Sequence, residues 1–407
     1  MTVQYTIPFD SPALDAFGRM RVSEPASIFD SQFQYDLQPL VWESITGAGG
    51  SVEHLPNESA ARLLTTGAPN SLSTLQTYQY FRYQPQKSQM IAMTFSFGTP
   101  VSGVVKRVGQ FDSQNGIFLE QDGSNGAAVV IRTFVSGEIS EERVYQANWN
   151  GDKLQGFGKT RTTLDLSKSQ ILIIDYQWLG VGRVRVGVDI GGAIIYLHSF
   201  NHANVDETAY TTTMNLPLRY EINNSSGNVH SSMRAICSSV ASEAGQQYSS
   251  GYDFVSSGSV VAANGSRTHL LSIQPKTTFN SIENRELIQP LSIDIGVTGN
   301  NPIQWELCLG CSISSGSTFA DVNATYSGVQ YNYGGVLSGV PPIVISSGFV
   351  ATSASNRQSV ERDVVNRFPI TLDYNGDTRL LGRLSLIVTG LGGTSACYGA
   401  IRWRETR

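Results

Sequence analysis

The stretch SQILIIDYQWLGVGRVRVGVDIGGAIIYLHSFNHANVDETAYTTTMNLPLRYEIN, Ser169 to Asn223, holds two kinds of strand, and the contrast between them decides the fold. Ile171 to Ile174 form an unbroken apolar run, as expected of a strand covered on both faces. Val184, Val186, Val188 and Ile190 instead alternate with Arg183, Arg185, Gly187 and Asp189, the period of a half-buried strand. Gly191 and Gly192 close a two-residue hairpin, because both central positions of such a turn take positive φ. A loop of that length predicts Ile190 opposite Ala193, Val188 opposite Ile195 and Val186 opposite Leu197, which makes one face aliphatic. The other face would pair Asp189 with Ile194, Gly187 with Tyr196, Arg185 with His198 and Arg183 with Phe200. Arg183, Arg185, Tyr196, His198 and Phe200 are therefore a candidate contact face.

Composition extends this reading to the whole chain. Its 407 residues exceed one typical domain, so two or three compact units are expected. Only 15% of residues are charged and 40 are glycine, a balance that favours turn-rich β structure over charged amphipathic helices. A net charge of −5 gives no overall basic surface and argues against nucleic-acid binding as the main task. No stretch approaches the roughly 18 consecutive apolar residues of a membrane-spanning helix, so no membrane partner is expected. The start, MTVQYTIPFDSP, has no basic region followed by an apolar core, which predicts synthesis in the cytoplasm without an export signal.

In chain order, residues 1–40 place Leu14, Phe17, Met20, Val22, Ile28, Phe29 and Phe33 at spacings that fit neither a helix nor a strand for long. They read as an extended N-terminal arm, either strapped to its own domain or reaching a neighbouring subunit. Leu14, Phe17, Arg19, Met20, Arg21, Val22 and Phe29 are its candidate assembly contacts. Residues 41–242 read as a jelly-roll-like antiparallel β-sandwich, with Asn115-Gly116, Asp122-Gly123, Asn125-Gly126 and Ser136-Gly137 punctuating a meander. In LQTYQYFRYQP, Thr77, Gln79 and Phe81 would face one side of a strand and Tyr78, Tyr80 and Arg82 the other, as cross-strand packing. Residues 243–251 read as a linker, and 252–407 as a second, C-terminal β-sandwich with strands near 270–273, 287–297, 304–314, 340–350, 383–389 and 397–404. The small-residue tract Ser314 to Gly339 is expected to be a long exposed loop. The fold class is all-β throughout.

Sequence signatures of chemistry are sparse. No Walker loop, GxGxxG after a strand, HExxH or GxSxG is present. His198 and His202 form an HxxxH, but only on a helix would both share a metal-binding face. Cys308 and Cys311 form a CxxC that reads as strand, where residues three apart point to opposite faces, so buried free thiols are expected rather than zinc. Glu120-Gln121-Asp122-Gly123-Ser124-Asn125 is similar to the first half of the ExDxxE strand of jelly-roll glucanases, with Asn125 in the place of the second glutamate. The same residues already serve as turn signals. No catalytic, cofactor or metal residues are assigned.

LDAFGRMRVSEP (Leu14 to Pro25) and FDSQ (Phe29 to Gln32) resemble the N-terminal signature of uncharacterised structural proteins of tailed bacteriophages. The resemblance continues through RVGQFDSQNGIFLEQDG, QANWNGDKLQGFG and HSFNHAN, over roughly residues 10 to 240. It implies a virion component, non-enzymatic, assembling with its own copies and with other virion proteins as head decoration, minor capsid, tail or baseplate. The hairpin around Gly191 also looks like that of concanavalin-like or laminin-G-like jelly rolls. The alternative is an adhesin of tail-fibre type that binds a receptor or host-surface glycan.

Overall fold

The computed structural model describes residues 11, 13–21, 25–227, 229–245, 253–314, 318–341, 343–351, 358–363 and 369–406. The chain divides into two compact units, Met1–Gln247 and Tyr248–Arg407. The first is built from β1 (Pro25–Gln32), β2 (Trp42–Gly47), β3 (Ser51–Leu55), β4 (Ala60–Thr65), β5 (Ser71–Thr77), β6 (Gln89–Ser96), β7 (Val104–Phe111), β8 (Gly116–Asp122), β9 (Gly126–Thr133), β10 (Ser140–Tyr145), β11 (Gln170–Tyr176), β12 (Val184–Ile190), β13 (Ala193–Phe200), β14 (Leu218–Asn224) and β15 (Ser231–Glu243).

These strands form two antiparallel sheets. One runs β13-β12-β11-β6-β15-β4-β3, with β1 also pairing β15, and the other runs β10-β9-β8-β7-β14-β5-β2. The alternation seen in the sequence supplies a shared core. Leu172, Ile174, Val184, Val186 and Val188 from the first sheet meet Val108, Ile117, Leu119, Val129 and Tyr220 from the second, all fully buried. An all-β sandwich is thus what the strand pattern predicted.

The hairpin keeps its expected register only near the turn. Ile190 pairs Ala193, Val188 pairs Ile195 and Gly187 pairs Tyr196, but a bulge between Val186 and Gly187 then puts Val186 opposite His198 and Val184 opposite Phe200. One extra residue on β13 turns His198 and Phe200 toward the side of Val184 and Val186, and leaves Arg183, Arg185 and Tyr196 on the other. The proposed five-residue contact face is therefore split between two faces. LQTYQYFRYQP also departs from expectation: β5 ends at Thr77, and Phe81 makes an isolated bridge with Leu216 instead of continuing a strand.

The second unit is again two antiparallel sheets. One carries Asp253–Ser256, Ser395–Thr406, Leu287–Val297 and Gln358–Asp363, with Val260–Ala262 beside Ser395–Thr406. The other carries Ala320–Asp321, Val329–Tyr333, Thr268–Pro275, Leu384–Gly390, Ile303–Leu309 and Ile343–Val350. Ile293, Ile295, Ile401 and Trp403 face Leu271, Ile273, Leu307, Leu386 and Val388 in its core. The tract Ser314 to Gly339 is not simply an exposed loop, since Val329–Tyr333 pairs with Thr268–Pro275 and Val329 is fully buried. Its residues 315–317 lie outside the described residues, as does most of the expected linker.

The Gly191-Gly192 turn has φ of 65° and 84°, and a Cβ added at either position would meet open space. Replacing Gly192 by alanine should therefore act through backbone conformation alone and cost about 1–2 kcal/mol. Urea unfolding followed by circular dichroism should show a lower midpoint with an unchanged denaturant slope.

Candidate functional site

Three polar regions of the first unit stand out, and the first absorbs most residues that the sequence singled out. Asp175, in β11, has a carboxylate with no solvent exposure on the side of the sheet facing away from the sandwich core. Arg185, equally buried, pairs with it through Nη2, Arg21 approaches at 2.5 Å, Tyr196 donates its hydroxyl at 3.0 Å and Ser88 donates at 2.8 Å. Burial pushes the Tyr196 hydroxyl up, and the adjacent Asp175 adds to the shift. The same arginines hold the arm. Arg185 donates to the Leu14 carbonyl at 2.7 Å and Arg183 to the carbonyls of Ala16 and Asp15 at 3.3 and 3.4 Å. Arg19 bridges Asp15, at 2.6 Å, to Glu243, at 2.8 Å, and lies over the Phe17 ring.

The arm is thus a strap on its own unit. Leu14 is buried, Phe29 in β1 packs against Phe81 with ring centroids 4.9 Å apart, and β1 is hydrogen-bonded to β15. Met20 is exposed, and Val22 lies outside the described residues. Reading the sequence missed Asp175, although a carboxylate ending the run ILIID was a usable signal: a charge in a strand covered on both faces needs a partner there.

The second region covers the outward face of the other sheet. Arg132, Glu141, Arg143, Glu120, Arg107, Glu221 and Arg219 form an unbroken chain of ion pairs, with separations from 2.5 to 3.2 Å. Their guanidinium groups lie over a phenylalanine floor: Arg107 and Arg132 over Phe118, and Arg132 and Arg219 over Phe111. Despite the cost of burial, Arg219 and Arg107 hold the Glu221 carboxyl below the usual range. This arrangement removes the glucanase-like segment from consideration as a catalytic strand. Glu120 is 2% exposed and bound by two arginines, while Asp122 accepts from Ser124 N, Asn125 N and the Asn125 amide to close the turn.

The third region is an open cleft of about 690 Å³ where the ends of β9 and β10 meet the loop after β13. Its walls carry Glu142, Asp206 and Glu207, the hydroxyls of Thr133, Ser136, Ser140 and Thr208, and the apolar Val135 and Val205. The three carboxylates have no hydrogen-bonding partner among the described residues. Behind them His202 stacks on Tyr210 with centroids 4.0 Å apart. The His202 ring donates from Nδ1 to the Gly182 carbonyl at 2.9 Å, and its buried Nε2 has no partner among the described residues. The HxxxH pair thus separates: His202 lines this cleft, whereas His198 Nδ1 accepts from the Asn150 backbone N–H at 3.2 Å. A smaller recess of about 340 Å³ lies between the 150–160 loop and β13, lined by Asn150, Asp152, Lys159, Thr160, Arg183 and Tyr196 among others.

No family model matches the sequence, and no curated protein is similar to it. Solved structures that resemble the chain include a family 16 glycosyl hydrolase from Mycobacterium smegmatis, at 10% identity and TM-score 0.36, covering 53% of this chain and 100% of that one. An endo-1,3-beta-glucanase from Streptomyces sioyaensis has 11% identity and TM-score 0.35, covering 54% of this chain and 96% of that one. A structure from work on endo-acting O-glycanases of the human gut microbiota has 12% identity and TM-score 0.38, covering 53% and 99%. The expectation of a non-enzymatic structural protein of a virion runs against the names these structures carry and is withdrawn, while a likeness at this level assigns no activity to this chain.

Two measurements test this account of the site. Replacing Asp175 by alanine strips a fully buried arginine of its partner, so a loss of about 3–5 kcal/mol is expected, together with faster hydrogen exchange across residues 13–21. Burial also pushes both His198 and His269 down to about 4 from the ordinary 6.5. The unfolded chain therefore takes up protons first, and stability should fall as the pH drops from about 6.5 towards 4. His198→Gln and His269→Asn should each flatten that slope in urea titrations at stepped pH.

Proposed function

We propose that this chain recognises glycans through the cleft formed by Thr133, Ser140, Glu142, His202, Asp206 and Glu207. One observation carries the reading: three carboxylates and four hydroxyls line an open cleft large enough for a short oligosaccharide, and among the described residues neither those carboxylates nor the buried ring nitrogen behind them has a hydrogen-bonding partner. Sugar hydroxyls are donors and acceptors at close spacing. Carboxylates take up pairs of them in charge-assisted hydrogen bonds, the side-chain hydroxyls match the remainder, and Val135 and Val205 offer apolar contact to the ring carbons.

The scaffold suits the task. The Asp175 carboxylate and the arginine–glutamate chain are paired within the unit, whereas the carboxylates of Asp206 and Glu207, on the loop after β13, and of Glu142, in the edge strand β10, line the cleft with no hydrogen-bonding partner among the described residues. An array of neutral oligosaccharides probed with the full chain should show a discrete set of bound glycans. The double change Asp206→Asn with Glu207→Gln should weaken the strongest of them by at least about tenfold, as expected for loss of a charge-assisted hydrogen bond, with an unchanged unfolding midpoint. Binding unaffected by the double change, or no glycan retained at millimolar concentration, would sink the proposal.

A further inference from the structure

An open sheet ends in two strands whose outer hydrogen-bonding groups have no ladder partner, and proteins guard such edges with charge, shortness or a covering segment. Guards of each kind occur in this chain. The backbone N–H groups of Gly151 and Asp152 donate to the Leu197 and Tyr196 carbonyls along β13, and β10 carries Glu141, Glu142 and Arg143. In the second unit the edge strand Ala320–Asp321 is two residues long, and Gln358–Asp363 ends in Glu-Arg-Asp. The strand Ile343–Val350, at the other edge of the six-stranded sheet, has none of these guards among the described residues. It is eight residues long and reads IVISSGFV, and the chain holds no charged side chain between Asp321 and Arg357. Its inner side is fully engaged, since it pairs with Ile303–Leu309 from end to end, Ile343 and Ile345 pack against the core, and Val350 is buried. On its outer side alternate N–H and C=O groups face away from the sheet, with no strand beside them among the described residues.

A bulge gives this edge an apolar face. Phe349 lies opposite Gln304 and Val344 opposite Cys308, with Ile345 as the extra residue between Val344 and Ser346. Residues five apart on a regular strand point to opposite faces. The inserted residue instead puts Phe349 and Val344 on one face, the face shared by Gln304 and Cys308, which stand four apart on the partner strand. That face is turned away from the core, into which Trp305 and Leu307 point. Phe349 is 68% exposed and Val344 43%.

We propose that Ile343–Val350 is where two copies of this chain associate, edge to edge and antiparallel. Outward ladder groups fit a β-strand as the occupant, and the absence of charge leaves nothing to select a charged one. The strand matches itself. Two-fold pairing about the Ser346–Ser347 midpoint brings Val344 of each copy beside Phe349 of the other, so one operation covers both exposed apolar groups. Ser346 and Ser347, both exposed, meet their counterparts at the axis, where hydroxyls can bond to one another and like charges would repel. The contact is small beside the roughly 1,200–2,000 Å² of a standard interface, so the dimer forms and dissociates with concentration. It lies in the second unit and uses no residue of the glycan cleft.

Sedimentation velocity of the full chain, from micromolar to near-millimolar concentration, tests the proposal. A monomer–dimer equilibrium is expected, with amide exchange over residues 343–350 slowing as the dimer forms. Ser347→Lys sets two like charges against each other at the axis and should raise the dissociation constant at least about tenfold, with an unchanged unfolding midpoint in urea, whereas Ser347→Thr should leave the equilibrium in place. A monomer at every concentration, growth beyond the dimer, or a dimer that Ser347→Lys does not weaken would overturn the proposal. So would amides over residues 343–350 that are already protected in the monomer, since another segment of the chain would then cover the edge.

Discussion

A single carboxylate with no access to water, Asp175, sets what the first unit can be. Charge buried in this way is tolerated only when fully met, and here Arg185, Arg21, Tyr196 and Ser88 meet it together. Meeting it has consequences at a distance. Arg185 can serve Asp175 and still spare donors for the Leu14 carbonyl, so satisfying the strand also fastens the arm, and the arm delivers Arg21 back to the same carboxylate. Such a pair is weak evidence for stability compared with an apolar substitute, but it fixes one geometry in which the carboxylate is met by four groups, even though Arg185 Nε has no partner among the described residues. The arm is held in place by that requirement.

The opposite sheet solves a different problem with similar residues. Its outward face carries seven charged side chains in alternating sign, stacked over Phe111 and Phe118, so the strands bury polar groups without leaving any of this chain unpaired. The chemical result is that Glu120 and Glu221, which sequence alone makes available for reaction or binding, are consumed by structure. Carboxylates free to meet a ligand occur instead on Glu142, in the edge strand β10, and on Asp206 and Glu207, in the loop after β13. Scaffold and cleft thus divide the polar residues between them.

How legible all this was depends on the range of each interaction. The hairpin at Gly191-Gly192, the meander turns at Asn115-Gly116 and Asn125-Gly126, and the strand at Leu287–Val297 follow from local periodicity and turn chemistry, and the structure holds each of them. The bulge after Val186 was invisible, because one inserted residue leaves the hydrophobic pattern almost unchanged while exchanging the faces of His198 and Phe200. The cleft was invisible too: Glu142 and Asp206 are separated by a long stretch of chain and meet only through the closure of the sandwich.

What the sequence determined by itself is the all-β class and two cores, since alternating valines and glycine-closed turns can bury their apolar side in few other ways. What the tertiary structure decided is which polar residues are spent and which remain. Asp175 and Arg185 were legible as charges but not as partners, because they sit opposite each other only once β11 and β12 pair. Pairing of this kind depends on register and closure, and both are set by contacts between residues far apart in the chain.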